Sequence, residues 1–183
     1  MGLFDFFKKK EEEPSYDPTN LKLIDLREGF ILDYDMQSWE VVKAFEYDWG
    51  NDYFTLELRL DNGTDSLHLA VDDNDGMELT LTKDVKVRHL DEDLPEYIVE
   101  HETAPKKLVY EGTVYYLDEE SAGYCKEITA PDNAWQELIN WDYYDKTEKK
   151  HLSVTQWGDR EFECAVGRVA KEFEFSNIIP GKG

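Results

Sequence analysis

Between Tyr53 and Leu60 the chain alternates without a slip, with Phe54, Leu56, Leu58 and Leu60 on one side and Thr55, Glu57 and Arg59 on the other. A period of two sends successive side chains to opposite faces, so this stretch reads as a half-buried strand and not as an amphipathic helix. Asp61-Asn62-Gly63 follows, a hairpin signal because Asn and Gly tolerate positive φ. Leu67, Leu69 and Val71 then oppose Ser66, His68 and Ala70, and after the loop Asp72–Gly76 the alternation resumes at Met77, Leu79 and Leu81.

The same reading extends along the body. Leu21, Leu23 and the Ile24–Leu26 step begin a first strand, Gly29 turns into Phe30-Ile31-Leu32, and Trp39, Val41 and Val42 open a β-prone stretch that runs to Tyr47. With Val85 and Val87 this makes a meander of about six or seven strands over 21–89. Residues 90–106 form a connector, in which Asp93–Glu100 is a short helix with Asp93 as its cap and Pro95 near its start. From 107 to 180 strands return: Leu108–Tyr110, Val114–Leu117, Gly123–Ile128, Trp135–Trp141, His151–Trp157, Arg160–Val166 and Val169–Phe175. The fold class is mainly β, an antiparallel barrel or sandwich of about twelve short strands, readable as two similar halves joined by the short helix. Trp39 before a Val-rich strand and Trp157 before a Phe/Val one give a loose echo between the halves.

Charge narrows the partners. The net charge is −22, and beyond residue 20 there are 17 basic against 37 acidic residues, so the field belongs to the body. Binding nucleic acid needs Lys and Arg to displace counterions from phosphates, which argues against that class of ligand. The acids serve solubility, attract a basic protein or a cation, or imitate nucleic acid as a decoy for a DNA-binding protein. Fifteen Lys against five Arg do not suggest extreme salt adaptation. Cys125 and Cys164 are too few and too distant for a disulfide scaffold, which points to buried reduced thiols in a cytoplasm.

Residues 1–20 read as a flexible tail. Leu3, Phe4 and Phe7 share one side of a helical turn ahead of Lys8, Lys9 and Lys10. Such a segment suits weak peripheral contact with the inner face of a membrane, rings at the acyl boundary and ammonium groups at the headgroups. Gly2 does not begin a myristoylation motif, because position 6 is Phe.

The sequence holds no complete catalytic or metal-binding motif. Placing Gly76 at the sixth position of a calcium loop puts Val71 first and Thr82 twelfth, where Asp and Glu are required. His68, His89, His101 and His151 have no second ligand at zinc spacing. No cofactor, metal or catalytic residue is assigned. Glu111, among Tyr110, Tyr115 and Tyr116, is the carboxylate an unrecognised carboxylate–tyrosine enzyme would use. Tyr110, Glu111, Tyr115, Trp141, Tyr143 and Tyr144 are the candidate face for a cationic or protein ligand, since ring faces and carboxylates both attract positive charge.

Trp39-Glu40-Val41-Val42, Tyr110-Glu111-Gly112 with Val114–Leu117, Leu152-Ser153-Val154 leading to Trp157, and Gly167-Arg168-Val169 before Phe175 carry a family likeness. From about Gly29 to Pro180 the chain resembles the bacterial family called domain of unknown function 4178. Lys126-Glu127 stands near the place of that family's usual Gly-Glu step. The resemblance implies a β-rich module linked to membrane-stress and envelope systems, and supplies no catalytic residue. The expected protein is therefore a non-enzymatic, acidic binding or accessory module. Its rings stack in a dry interior and its acids form a wet outer coat.

Overall fold

The hairpin signals set the strand ends. Asp61 and Asn62 side chains cap the amides of Gly63, Thr64 and Asp65, and Gly63 takes φ +87. The computed structural model describes residues 16–181, so Leu3, Phe4, Phe7 and Lys8–Lys10 lie outside the described residues. The strands are β1 (Ile31–Tyr34), β2 (Gln37–Asp48), β3 (Phe54–Asp61), β4 (Ser66–Asp72) and β5 (Glu78–Val85), then β6 (Lys107–Tyr110), β7 (Thr113–Glu127), β8 (Gln136–Tyr144), β9 (Lys150–Gly158), β10 (Glu161–Ala170) and β11 (Phe175–Ile179). Two helices, α1 (Val87–Leu90) and α2 (Leu94–His101), connect β5 to β6.

Every pairing is antiparallel, in the order β11-β1-β2-β3-β4-β5-β10-β9-β8-β7-β6. The sheet closes on itself because β2 also pairs β7, from Phe45↔Glu127 to Asp48↔Tyr124. Strands β2, β3, β4, β5, β10, β9, β8 and β7 therefore form an eight-stranded ring, with β1, β11 and β6 outside it. The other seam is β5–β10, from Leu79↔Ala170 to Val85↔Cys164.

The two halves repeat one plan. In each, a short strand turns into a long one: Leu32↔Trp39 in the first half corresponds to Leu108↔Tyr115 in the second. A register shift at Val41/Lys43 opposite β3 recurs at Leu117/Glu119 opposite β8. The counterpart of Trp39 is thus Tyr115, and Trp157, on β9, does not match it. Two departures from the expected strands have local causes. Leu23–Asp25 is a 3-10 turn and not a strand, because the Asp25 carboxylate accepts the Lys22 amide at 2.9 Å and Arg27 donates to the Ile24 and Leu26 carbonyls. The segments read as two strands, Val114–Leu117 and Gly123–Ile128, are one strand running through its bulge.

The dry interior expected from the sequence is not where the hydrophobic residues go. Among the described residues they form two separate cores, one built mainly on the first half and one on the second. Leu58, Leu60, Leu67, Leu69, Leu79 and Leu81 pack with Trp39 beneath Leu23, Leu26, Leu32 and Phe175. Trp141, Tyr143, Leu152 and Val154 pack beneath Leu90, Leu94, Ile98 and Leu108. The polar partners of these residues in the alternation face the other way, into the ring. A ring surrounding a polar space needs its apolar outer face covered, and β1, β11 and the 3-10 turn cover one side while α1, α2 and β6 cover the other. Burial of each large apolar side chain contributes about 1.5–3 kcal/mol.

Glycine allows the backbones to meet at both seams. A Cβ on Gly167 would lie 2.0 Å from the Leu81 carbonyl oxygen, and one on Gly123 would lie 2.6 Å from that of Asp48. Gly167→Ala is expected to lower stability by about 2–4 kcal/mol in urea unfolding. Gly158→Ala, whose new atom would come no closer than 3.8 Å to Glu161, is expected to stay within about 0.5 kcal/mol of the parent.

Candidate functional site

The ring encloses a cavity of about 1210 Å³, and every strand of the ring contributes to its wall. Tyr47, Glu57, His68 and Thr82 come from β2 to β5, and Ser121, Asp142, His151 and Glu163 from β7 to β10. A ligand in this space meets ten carboxylates against three basic groups, Lys146, Lys171 and His68. Low-dielectric walls strengthen such a field, so the space favours positive charge.

One polar chain crosses the first half. His68 Nδ1 lies 2.9 Å from Glu57 Oε1 and its Nε2 lies 2.9 Å from Asp84 Oδ1. Tyr47 donates to the other Glu57 oxygen at 3.4 Å, and Arg59 donates to Asp84 Oδ2 at 3.3 Å. Burial alone would lower the His68 pKa, but the bonds to Asp84 and Glu57 and the charges of both outweigh it and raise it to about 9. The imidazole is therefore a cation held between two acids.

The second half has its own chain. His151 donates from Nε2 to Asp142 Oδ1 at 2.8 Å, Asn140 donates to Asp142 Oδ2 at 2.7 Å, and Thr155 donates to Asn140 at 2.9 Å. The Tyr144 ring sits beside His151 with centroids 5.0 Å apart. Burial, then the charges of Asp142 and Asp118, push the Tyr144 hydroxyl up to about 12, so it stays a neutral donor. Further rings stand on the wall: Tyr47 stacks on Trp49 at 5.5 Å, Trp49 donates to Thr55 at 2.9 Å, and Trp157 donates to Glu163 at 2.9 Å.

The face assembled from sequence is not one surface. Tyr115, Trp141 and Tyr143 are buried in the second core, where Trp141 donates to Glu120 at 2.6 Å and Tyr143 to the Pro105 carbonyl at 2.8 Å. Tyr110 and Glu111 lie at the β6–β7 turn, with Glu111 exposed and at φ 47. Tyr144 is the member of that set on the cavity wall. The polar side of each strand reads in sequence as a solvated face, which hides Glu57, His68, Asp142 and His151. Their signal is present all the same: His68 and Glu57 both occupy polar positions in unbroken alternation, on strands that pair with each other.

Cys125 and Cys164 are buried and unbridged, with burial pushing both thiols up to about 12. Among the described residues no group of three or more His, Cys, Asp or Glu is placed to hold a metal, and no helix is long and apolar enough to cross a membrane.

Residues 27–172 match the family described as Domain of unknown function (DUF4178). The chain belongs to this family. An "Uncharacterized protein" of Aquifex aeolicus (strain VF5) is 22% identical over 174 residues, covering 95% of this chain and 94% of that protein. No solved structure matches the chain. The matched DUF4178 segment contains all of β1 to β10, hence both halves, both seams and the whole cavity wall provided by the ring.

Because the folded His68 pKa lies above its unfolded value, His68 stabilises the fold fully below about pH 6.5, and that contribution is lost as pH rises through about 9. In a titration followed by imidazole NMR signals, His68 is expected to show a midpoint near 9 in the native protein. Glu57→Gln is expected to move that midpoint down towards 6.5, and a native midpoint at or below 6.5 contradicts the two-acid clamp.

Proposed function

We propose that this protein is a non-enzymatic binding module that takes a small cationic ligand into its ring. The observation that carries the reading is the cavity wall, where ten carboxylates and the rings of Tyr47, Trp49, Tyr144 and Trp157 line one open-mouthed cavity. Carboxylates supply the long-range attraction, and aromatic faces hold a desolvated cation through the ring quadrupole. Function then depends on a rigid ring with a preformed polar interior, which binds with little loss of side-chain freedom.

The proposal extends to place and attachment. Two buried thiols suit a reducing cytoplasm. Leu3, Phe4 and Phe7 ahead of Lys8–Lys10 suit reversible contact with an anionic membrane face. The ring would then work near that surface without entering it.

Two measurements check the two parts. Titration of the ¹⁵N-labelled protein with butyltrimethylammonium is expected to shift amide signals of Glu57, His68, Asp142 and His151 neighbours, while butyrate leaves them in place. Equal shifts from butyrate, or shifts confined to outer turns such as 62–65, overturn the cationic reading. In flotation with anionic liposomes, the full chain is expected to be recovered with lipid several-fold more than a chain starting at Asn20. Equal recovery removes the membrane contact.

A further inference from the structure

The two histidines of the cavity are built differently. His68 has a carboxylate on each ring nitrogen, so its bonding capacity is used. His151 has Asp142 on Nε2, while its Nδ1 is buried and has no hydrogen-bond partner among the described residues. The residue itself is 5% exposed and stands on the cavity wall.

The bonds around it fix which nitrogen carries the proton. Asp142 accepts on both oxygens, from His151 Nε2 at 2.8 Å and from Asn140 at 2.7 Å, and Thr155 in turn orients the Asn140 amide. A carboxylate facing Nε2 holds the proton there and leaves Nδ1 as a bare lone pair. A buried acceptor without a donor is uncommon in folded proteins, and each instance calls for a partner. Tyr144 pairs with His151 across β8 and β9, and the two rings stand beside each other with centroids 5.0 Å apart. The negative charges of Asp142, Asp118, Glu78 and Glu119 all reach Tyr144, so a donor arriving here is favoured if it is charged.

We propose that His151 Nδ1 is the anchoring acceptor of the cavity, taking a hydrogen bond from the N–H of an ammonium ligand whose charge rests against Tyr144 and the surrounding carboxylates. The inference rests on the cationic reading given above and narrows it. The cavity then prefers a ligand with at least one N–H on its cationic nitrogen, which separates protonated primary, secondary and tertiary amines from quaternary ammonium compounds. Asp142, Asn140 and Thr155 act as positioning residues, since they set the tautomer and need not touch the ligand.

The test compares butylammonium with butyltrimethylammonium, ions with the same tail and charge but with and without N–H donors. The full chain is expected to bind butylammonium about tenfold more tightly, the worth of one charge-assisted hydrogen bond. Butylammonium, and not its trimethylated analogue, is expected to shift the His151 Nδ1 resonance in ¹⁵N spectra of the parent protein. His151→Lys keeps a donor for Asp142 and has no acceptor in place of Nδ1, and it is expected to bring the two affinities level. If that variant does not fold, the Nδ1 shift in the parent protein still decides. Equal affinity of the two ions in the parent, or an Nδ1 that already carries a proton without ligand, overturns the anchor and leaves the cationic reading standing. Binding of neither ion overturns both.

Discussion

The ring exists because two meanders pair along both of their available edges. The β2–β7 and β5–β10 seams are backbone ladders, and each has a glycine at its tightest crossing, Gly123 at one and Gly167 at the other. Closure by hydrogen bonding removes the free edges that β5, β10 and the ends of β2 and β7 would present, and leaves the outer sides of β11 and β6 as the edges of the sheet. It also fixes the inside and outside of every strand. Once β2 is tied to β7, residues that alternate along β3, β4, β8 and β9 have no choice of face.

From that constraint follows the unusual placement of polarity. Apolar residues point outward into two cores, each closed by its own cover, and polar residues point inward to a shared cavity. The bulges at Val41/Lys43 and Leu117/Glu119 let the start of each long strand leave the ring to meet its short partner, β1 or β6, while the end stays in the seam. The acids that sequence assigns to a wet coat are therefore divided between the outer surface and the interior.

The strands were legible in sequence because alternation and turn residues act locally. Phe54–Asp61 and Ser66–Asp72 emerge with nearly the boundaries that Asp61-Asn62-Gly63 and Asp72–Gly76 imply. Alternation gives two faces but does not say which one is inside a closed sheet. Leu69 and His68 are equally well placed by either answer, and the long-range β2–β7 pairing decides between them. The same ambiguity misplaced the aromatics: Trp141 and Tyr143 share a parity that buries them under α2, and Tyr144, one residue on, faces the cavity. The 3-10 turn at Leu23–Asp25 escaped because its Leu residues keep a strand-like spacing while Asp25 and Arg27 satisfy the backbone locally.

Neighbouring residues on one ring strand face a dry core and a polar cavity, as Leu69 and Ala70 do on β4. Thiol reactivity at Leu69 and Ala70 of β4 reads this directly, because native Cys125 and Cys164 are buried with thiols raised to about 12 and contribute little background. Under native conditions a small methanethiosulfonate is expected to modify Ala70→Cys at least about a hundredfold faster than Leu69→Cys, whose thiol reacts only when the fold opens. Equal protection of both positions, or faster reaction at 69, would contradict the account of a ring with its polar face inward.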